Sequence, residues 1–295
     1  MFAVLCMIFA ILVIFGIWVI LYDTHHFVTV RHTFSSEKIK KPLRLVMLSD
    51  LHNYQYGREN ALLLSAIEKE KPDAVVIAGD MITAKKKEKF DRTIIFLKKL
   101  KEKYPVYYAY GNHEQKISLY PGRYGDMGER FEGELSKIGI KPLKNAHCLL
   151  SEHNVTIYGL EIGHAYFQRF STKPMPEKYL EEQLGRADKG TYSVLLAHNP
   201  EYFPEYAEWG ANLVLSGHIH GGIVRVPFLG GLISPAIRFF PKYDGGLFRE
   251  ENTDMVLGRG IGTHSPNVRM FNPAELLVID LVSGKEALEM KKKSR

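Results

Sequence analysis

The chain has 295 residues, of which 45% are hydrophobic and 24% are charged, an ordinary composition for a globular protein. Its formal net charge of +6 arises from scattered lysines and is too small to indicate a nucleic-acid-binding protein, so we expect no nucleic-acid partner. The chain has two cysteines, Cys6 and Cys148, which excludes a framework of disulfides.

The first 22 residues carry no charged side chain and predict a transmembrane anchor. As a helix they would be about 33 Å long, enough to cross a bilayer core of about 30 Å. Trp18 and Tyr22 lie near the end of this span, where interface residues are common. A cleaved signal peptide is the alternative. It is disfavoured because no basic segment precedes the apolar run and no small-x-small cleavage site follows before Asp23.

Basic residues follow the span and none precedes it, which favours a cytoplasmic location for the rest of the chain. They are Arg31, Lys38, Lys40 and Lys41. Residues 23–41 are polar and show no clear periodicity, so we interpret them as a juxtamembrane linker. The globular domain is then expected over residues 42–290.

After residue 42, a unit of strand, polar turn and helix recurs and predicts an α/β domain. Short apolar runs each end in polar residues, and they are 43–48, 74–78, 106–110, 193–197 and 213–215. Helices are expected over 58–69 and 87–104, and an irregular excursion over 226–248. Reactive side chains should therefore collect beyond the carboxyl ends of the strands.

The last of these polar segments, residues 216–222, places His218 and His220 two residues apart between glycines. If side-chain alternation continues beyond the preceding strand, both rings point in nearly the same direction. Flanking glycines allow a tight turn and a close approach of substrate to the backbone. An HxH pair by itself is a weak signal for a metal, so the interpretation depends on the other strand ends.

Together the five strand ends carry two carboxylates, one carboxamide and five imidazoles. These residues are Asp50, His52, Asp80, Asn112, His113, His198, His218 and His220. In isolation the aspartates are typical helix N-caps, and Asn112 and His198 are typical turn residues. As a set they suit two divalent cations bridged by one aspartate. Oxygen and imidazole ligands without a thiolate favour Mn, Fe or Zn.

In this order and local sequence, the motifs resemble those of the calcineurin-like metallophosphoesterase superfamily, which read DxH, GD, GNH[DE], a lone His and GHxH. All of them are present over residues 50–220. The following segment, including residues 259–263 and 269–275, is similar to a bacterial branch of membrane-anchored or exported phosphoesterases. The resemblance implies a four-layer αββα sandwich, with two mixed sheets flanked by helices, attached to the N-terminal transmembrane helix.

The resemblance also implies roles for individual residues. The first metal would be held by Asp50, His52, Asp80 and His220. The second metal would be held by the same Asp80 together with Asn112, His198 and His218. His113 would face the substrate and protonate the leaving oxygen or stabilise the charged transition state, with Glu114 orienting its ring. Thr83 stands where the family often has a further aspartate.

The function implied is hydrolysis of a phosphoester or pyrophosphate bond by a metal-activated hydroxide at the membrane. The substrate contains phosphate and is either lipid-linked, such as a UDP-acylated sugar, or a generic phosphodiester. The alternative is a non-catalytic, metal-dependent interaction module, which is disfavoured because the ligands and His113 are intact. Further residues that could contact a substrate are Arg225, Arg259, Arg269, Tyr166 and Arg169.

Overall fold

The computed structural model describes residues 1–168, 173–222, 225–226, 230–231, 240–263 and 267–287. Its helices are α1 Phe2–His25, α2 Ala61–Glu70, α3 Asp91–Lys103, α4 Asn112–Leu119, α5 Pro121–Tyr124, α6 Met127–Lys137, α7 Tyr179–Leu184 and α8 Phe203–Trp209. Short 3₁₀ turns lie at Arg58–Asn60, His164–Phe167 and Pro200–Tyr202.

The strands, in chain order, are β1 Phe27–Ser36, β2 Leu43–Leu48, β3 Ala74–Ala78, β4 Val106–Ala109, β5 Ala146–Leu150, β6 Val155–Leu160, β7 Tyr192–Ala197, β8 Leu213–Ser216, β9 Arg225–Val226, β10 Gly230–Gly231, β11 Gly246–Glu250, β12 Thr253–Leu257 and β13 Ala274–Ser283. One large sheet has the order β1-β13-β2-β3-β4, the other has the order β11-β12-β8-β7-β6-β5, and β9 and β10 pair as a separate two-stranded sheet. Both large sheets are mixed, with parallel strands at their centres.

Three hydrophobic layers hold the fold together and confirm the predicted αββα sandwich. The middle layer joins the two sheets, through residues such as Met47 of the first and Leu196 of the second. The outer layers join each sheet to its helices, for example through Phe96 on one side and Phe203 on the other. Central strands such as β7 are buried along their whole length, because both of their faces are covered.

Strand β1 corrects the prediction of a linker over residues 23–41. All ten residues Phe27–Ser36 pair in parallel with Ala274–Ser283, so the sheet begins well before residue 42. Arg31 also donates a hydrogen bond to Asp280 on β13 at 2.9 Å. The strand lies at the edge of the sheet and only Phe34 is fully buried, so its sequence lacks a clear apolar alternation.

Helix α1 is long and apolar enough to cross a membrane, a property that anchors share with signal sequences. Its outer surface is almost entirely exposed, and its buried residues are Val19, Asp23 and Thr24. The end of the helix, from Val19 onward, therefore packs on the domain, and Phe15 lies beside Phe271, while most of the preceding side chains are exposed.

The expected irregular excursion over 226–248 contains the short strand β10 and the first residues of β11. Residues 227–229 and 232–239 of it lie outside the described residues, as does residue 290, the expected end of the domain.

Candidate metal centre

Tight turns end the strands that carry the predicted ligands. Five of these residues have a positive φ: 56° for Asp50, 49° for His52, 55° for Asp80, 75° for His218 and 55° for His220. Residues with side chains rarely adopt such angles, and they cluster at functional sites where the surrounding structure holds them. Because of these turns, side chains that follow separate strands lie close together at one edge of the sheets.

Close backbone contacts explain two of the glycines in the motifs. A Cβ on Gly79 would lie 2.5 Å from the Gly111 nitrogen, and a Cβ on Gly217 would lie 2.3 Å from Asp50 Oδ2. Side chains at these positions would push the ligand-bearing turns apart.

Three overlapping groups of potential ligands form at this edge of the sheets, and in each group the ligand atoms lie within 4.8 Å of one another. One of them, His52, Asp80 and His113, shares its first two members with the predicted metal ligands. The other two correspond to the two predicted metal positions. The first contains Asp50, His52 and His220, and the second contains Asp80, His198 and His218. Asp80 Oδ2 lies 3.0 Å from His198 Nε2 and 4.0 Å from His52 Nε2. One carboxylate oxygen thus reaches both groups, as a bridging ligand must.

The HxH rings do not point in nearly the same direction, contrary to the expectation. His220 joins the first group and His218 the second. Both residues have positive φ, so the backbone after β8 turns and is no longer extended. The alternation of side chains along a strand therefore does not apply to them.

The buried charges of the site fit a pair of cations. Asp50 and Asp80 are 0% and 2% exposed, and burying carboxylates is costly unless positive charge compensates. Burial opposes protonation of His198, but the charge and hydrogen bond of Asp80, the charge of Asp50 and the hydrogen bond to the Ala78 carbonyl together outweigh it and raise the pKa of His198 to about 9. Burial and the charge of His198 lower the pKa of His218 to about 3. The site thus attracts positive charge that cations can supply.

The side chain of Asn112 also fits a cation. One end of its carboxamide lies 2.8 Å from His218 Nδ1 and 3.3 Å from Asp80 Oδ2. If this end is the oxygen, it faces a carboxylate oxygen, and a cation between the two removes the repulsion. Asn112 therefore lies where the second group needs an oxygen ligand.

His113 lines the cavity beside these groups. Its Nδ1 accepts a hydrogen bond from the Ala84 backbone N–H at 2.6 Å, and its Nε2 lies 3.9 Å from Asp80 Oδ2. Since Nδ1 is the acceptor, a neutral ring carries its proton on Nε2, the atom near the ligand groups.

Glu114 does not orient the His113 ring, and the prediction of that role is wrong. Its carboxylate accepts hydrogen bonds from the backbone N–H groups of Asp80, Met81 and Gly111 at 2.8–3.0 Å and from the Tyr108 hydroxyl at 2.7 Å. Glu114 is the third residue of α4, so its side chain folds back over the start of the helix. It holds the turn that carries Asp80.

Asn272 links the first ligand group to helix α1, a connection that sequence reasoning missed. Its Nδ2 donates to the carbonyls of His220 and Gly222, both at 2.7 Å. Its backbone N–H donates to Asp23 Oδ2 at 2.9 Å. The sequence feature that could have pointed to Asn272 is the segment 269–275. It was noted above for its similarity to a bacterial branch of phosphoesterases, and no contact was predicted for it.

A second connection joins α1 to the loop after His52. Tyr54 donates its hydroxyl to the Thr24 carbonyl at 2.8 Å, and Thr24 Oγ1 accepts the backbone N–H of Arg269 at 3.2 Å. The last turn of α1 therefore contacts loops on both sides of the first group.

The arginines offered as substrate contacts hold protein groups instead. Arg269 is 3% exposed and donates to the carbonyls of Arg259 and Gly262. Arg259 pairs with Glu275 at 3.2 Å, and Arg225 pairs with Asp244 at 3.1 Å. Tyr166 is buried, and its carbonyl accepts a hydrogen bond from Asn199. Arg169 lies outside the described residues.

A cavity of about 640 Å³ opens over the ligand groups. His52, Asp80, Asn112, His218 and His220 lie among its lining residues. The others include Thr83, Lys85, His113, Lys116, Tyr120, Arg123, Tyr124, His164 and Phe167. Thr83 also donates a hydrogen bond to the His52 carbonyl at 3.3 Å.

Comparison with known proteins identifies the relatives. The chain is 27% identical to the metallophosphoesterase YkuE of Bacillus subtilis over 267 residues, covering 88% of this chain and 87% of YkuE. It is 26% identical to phosphodiesterase YaeI of Escherichia coli over 245 residues, covering 82% and 83%. It is 24% identical to UDP-2,3-diacylglucosamine pyrophosphatase LpxG of Chlamydia muridarum over 290 residues, covering 80% and 83%.

The family model described as calcineurin-like phosphoesterase matches residues 43–222, which contain every predicted metal ligand. The chain therefore belongs to the calcineurin-like phosphoesterase family and is a hydrolase of phosphoester bonds.

Proposed function

We propose that the chain is a membrane-anchored, di-metal hydrolase that cleaves a phosphoester or pyrophosphate bond of a lipid-linked substrate, such as a UDP-acylated sugar. The observation that carries this proposal is the docking of the last turn of α1 on the metal-ligand loops. Through Asn272 and Tyr54, the end of an exposed apolar helix lies next to His220 and His52.

The contacts of α1 also indicate how close the site is to the bilayer. Phe15 lies 6.4 Å from Phe271 between ring centroids, and Phe271 is 37% exposed. Phe15 precedes the end of the helix by ten residues, or roughly 15 Å. The domain surface beside the metal centre thus extends alongside the apolar helix, so a substrate held in the membrane by acyl chains can reach the cavity.

The names of two relatives bear on the bond and the substrate, and only that of LpxG points to a lipid-linked one. YaeI is named a phosphodiesterase, and LpxG is named a pyrophosphatase of UDP-2,3-diacylglucosamine, a diacylated sugar nucleotide. The shared family and the apolar helix favour the same kind of substrate for this chain.

The proposed mechanism assigns each residue a part. Asp50, His52, Asp80 and His220 would hold one cation, and Asp80, Asn112, His198 and His218 the other, with Mn, Fe or Zn favoured by oxygen and imidazole ligands. When bound, such a pair supplies hydroxide near neutral pH and clamps the scissile phosphate. His113 would donate its Nε2 proton to the leaving oxygen, and the Ala84 N–H keeps that tautomer in place.

For the membrane orientation we propose a cytoplasmic catalytic domain, from the basic residues after α1. Arg31 and Lys41 both form ion pairs within the domain, with Asp280 and Glu152 respectively. If the catalytic domain is cytoplasmic, protease added to spheroplasts should leave it intact, while protease added to inverted vesicles should digest it. The reverse pattern would contradict this orientation.

The test of the function uses the full chain in liposomes with two matched substrates. One is a diacylated UDP-sugar, and the other is the same UDP-sugar without acyl chains. We expect preferred hydrolysis of the acylated substrate, because acyl chains concentrate it where the cavity lies. Equal hydrolysis of the two would argue against a membrane substrate.

The same assay tests His113. Replacing His113 with Ala should leave metal content unchanged and lower kcat by about 100-fold to 10,000-fold, the usual contribution of a general acid. Retention of activity in His113→Ala would rule out the proposed role of this ring.

A further inference from the structure

The wall of the cavity beyond the metal ligands is basic. Lys85, Lys116 and Arg123 all line it, while Asp80 is the one carboxylate among its described lining residues. Since Asp80 is itself a proposed metal ligand, the cavity presents three cationic side chains in addition to any bound cations. A substrate with two negative charges can place one at the metal position and the other at this basic wall.

Lys116 lies next to the second ligand group. It follows Asn112 by one turn of α4, so the two side chains share a face of the helix. Its Nζ lies 3.1 Å from the outer end of the Asn112 carboxamide, whose inner end is 2.8 Å from His218 Nδ1. When the inner end is the oxygen that faces the metal position, the outer end is the amide nitrogen, so its contact with the ammonium is not a hydrogen bond. The ammonium is therefore separated from the proposed second metal position by one side chain.

Arg123 extends the basic wall away from the metal position. It lies on α5, directly after α4, with its guanidinium carbon 5.4 Å from the centre of the Tyr124 ring. Both residues also line a neighbouring cavity of about 510 Å³. The described charged residues of that cavity include the cations Lys86, Lys87, Lys89, Arg123 and Arg130 and the carboxylates Glu88 and Asp126. The basic surface thus continues outward from Lys116.

We propose that Lys116 and Arg123, with Lys85 at the same cavity wall, form a second anion site for the phosphate adjacent to the scissile one. The chain then selects organic diphosphates over phosphodiesters. A diphosphate diester carries one negative charge on each phosphate, so the second charge meets the basic wall while the metal position holds the first. An ammonium binds phosphate as a point charge, and a guanidinium can bind two of its oxygens. The inference rests on the proposed function.

The test compares two compounds that differ by one phosphate group, 5′,5′-linked diuridine diphosphate and 5′,5′-linked diuridine monophosphate. The measured quantity is the ratio of kcat/KM for the diphosphate to kcat/KM for the monophosphate, using the full chain in detergent with Mn²⁺. We expect the wild-type ratio to exceed one. Lys116→Met and Arg123→Met should each lower it about tenfold to hundredfold, the effect of losing a hydrogen bond to a charged group.

Three further variants control the result. Lys116→Arg and Arg123→Lys keep the charge and should restore most of the ratio. Lys141→Met removes an exposed lysine outside both cavities and should leave the ratio unchanged. Metal content is measured in every variant, because Lys116 lies beside a proposed ligand. If Lys116→Met loses metal, its ratio does not report on the anion site. The ratio in Arg123→Met, whose side chain lies further from the proposed ligands, then tests that site.

A wild-type ratio below one, or an unchanged ratio in Arg123→Met, would overturn the second anion site while leaving the phosphoesterase intact. A metal-loaded wild-type chain that hydrolyses neither this pair nor the diacylated UDP-sugar would instead contradict the proposed function. The two failures are therefore distinct.

Discussion

Glu114 shows how a single side chain can hold the backbone of the metal centre without lying among its ligands. It is 0% exposed, and burial together with the nearby charge of Asp80 raises its pKa to about 7. Its carboxylate accepts hydrogen bonds from two separate backbone segments, at Asp80 and at Gly111, and from the side-chain hydroxyl of Tyr108. Fixing these segments fixes the direction of Asp80.

Replacing Glu114 with Gln should weaken the centre. The new amide group would face N–H donors, leaving at least one buried donor unsatisfied and lowering the free energy of unfolding by about 1–3 kcal/mol. Metal content should fall as well, because the Asp80 turn loses its support. Urea denaturation and elemental analysis measure the two effects.

Tyr108→Phe is the matched control, because it removes one hydrogen bond to Glu114 and keeps the backbone contacts. We expect it to retain metal. A Glu114→Gln chain with wild-type stability and metal content would show that the carboxylate does not support the turn.

At the scale of residues, the sequence predicted which side chains come together at this edge of the sheets, but not the directions of two of them. The motif order was enough to bring Asp50 and His220 together across many intervening residues. The divergence of His218 and His220 depends on positive φ angles, and the position of Glu114 depends on where α4 begins. Neither follows from residue type alone.

At the scale of elements, helix α1 is joined to the site as well as to the fold. Asp23 and Thr24 at its end are 8% and 7% exposed and hold Asn272 and Arg269 respectively. Asn272 in turn is 0% exposed and supports the carbonyls on either side of the turn that contains His220. Helix α1 thus helps to position the loop that carries the predicted ligand His220.

Replacing Asn272 with Ala should reduce metal affinity about 10-fold to 100-fold, the usual effect of removing a partner that supports a ligand. Asp23→Ala should act in the same direction and less strongly, because it removes a contact one step further from His220. Metal retention is measured by competition with a chelator in detergent-solubilised full chain.

Thr29→Ala, on an exposed position of β1, provides the control and should bind metal like the wild type. Equal affinity in Asn272→Ala and the control would contradict the coupling between the loop and the helix.

Buried elements were predicted well, including the edge strand β4, whereas the partly exposed edge strands β1 and β5 were missed. The central strands such as β3 and β7 read as continuous apolar runs because both of their faces are covered. Strands β1 and β5 each lie at an edge, with alternating or irregular burial, and neither was predicted. Pairing with the neighbouring strand, rather than local sequence, determines such elements.

For the molecule as a whole, two mixed sheets pack face to face and gather their ligand-bearing turns at one edge. Asp50 and Asp80 follow strands of the first sheet, while His198 and His218 follow strands of the second. Cations held by these residues would lie at the junction of the two sheets, where they would also stabilise the sandwich by binding only its folded state.

Elemental analysis of the purified full chain tests the central claim most directly. We predict about two divalent ions per chain, and less than one in Asp80→Asn, because the bridging ligand serves both positions. Asp126→Asn, at an exposed carboxylate outside the metal centre, should keep both ions. A wild-type chain that binds one ion or none after exposure to Mn²⁺, Fe²⁺ and Zn²⁺, or an Asp80→Asn chain that keeps two, would contradict the di-metal centre.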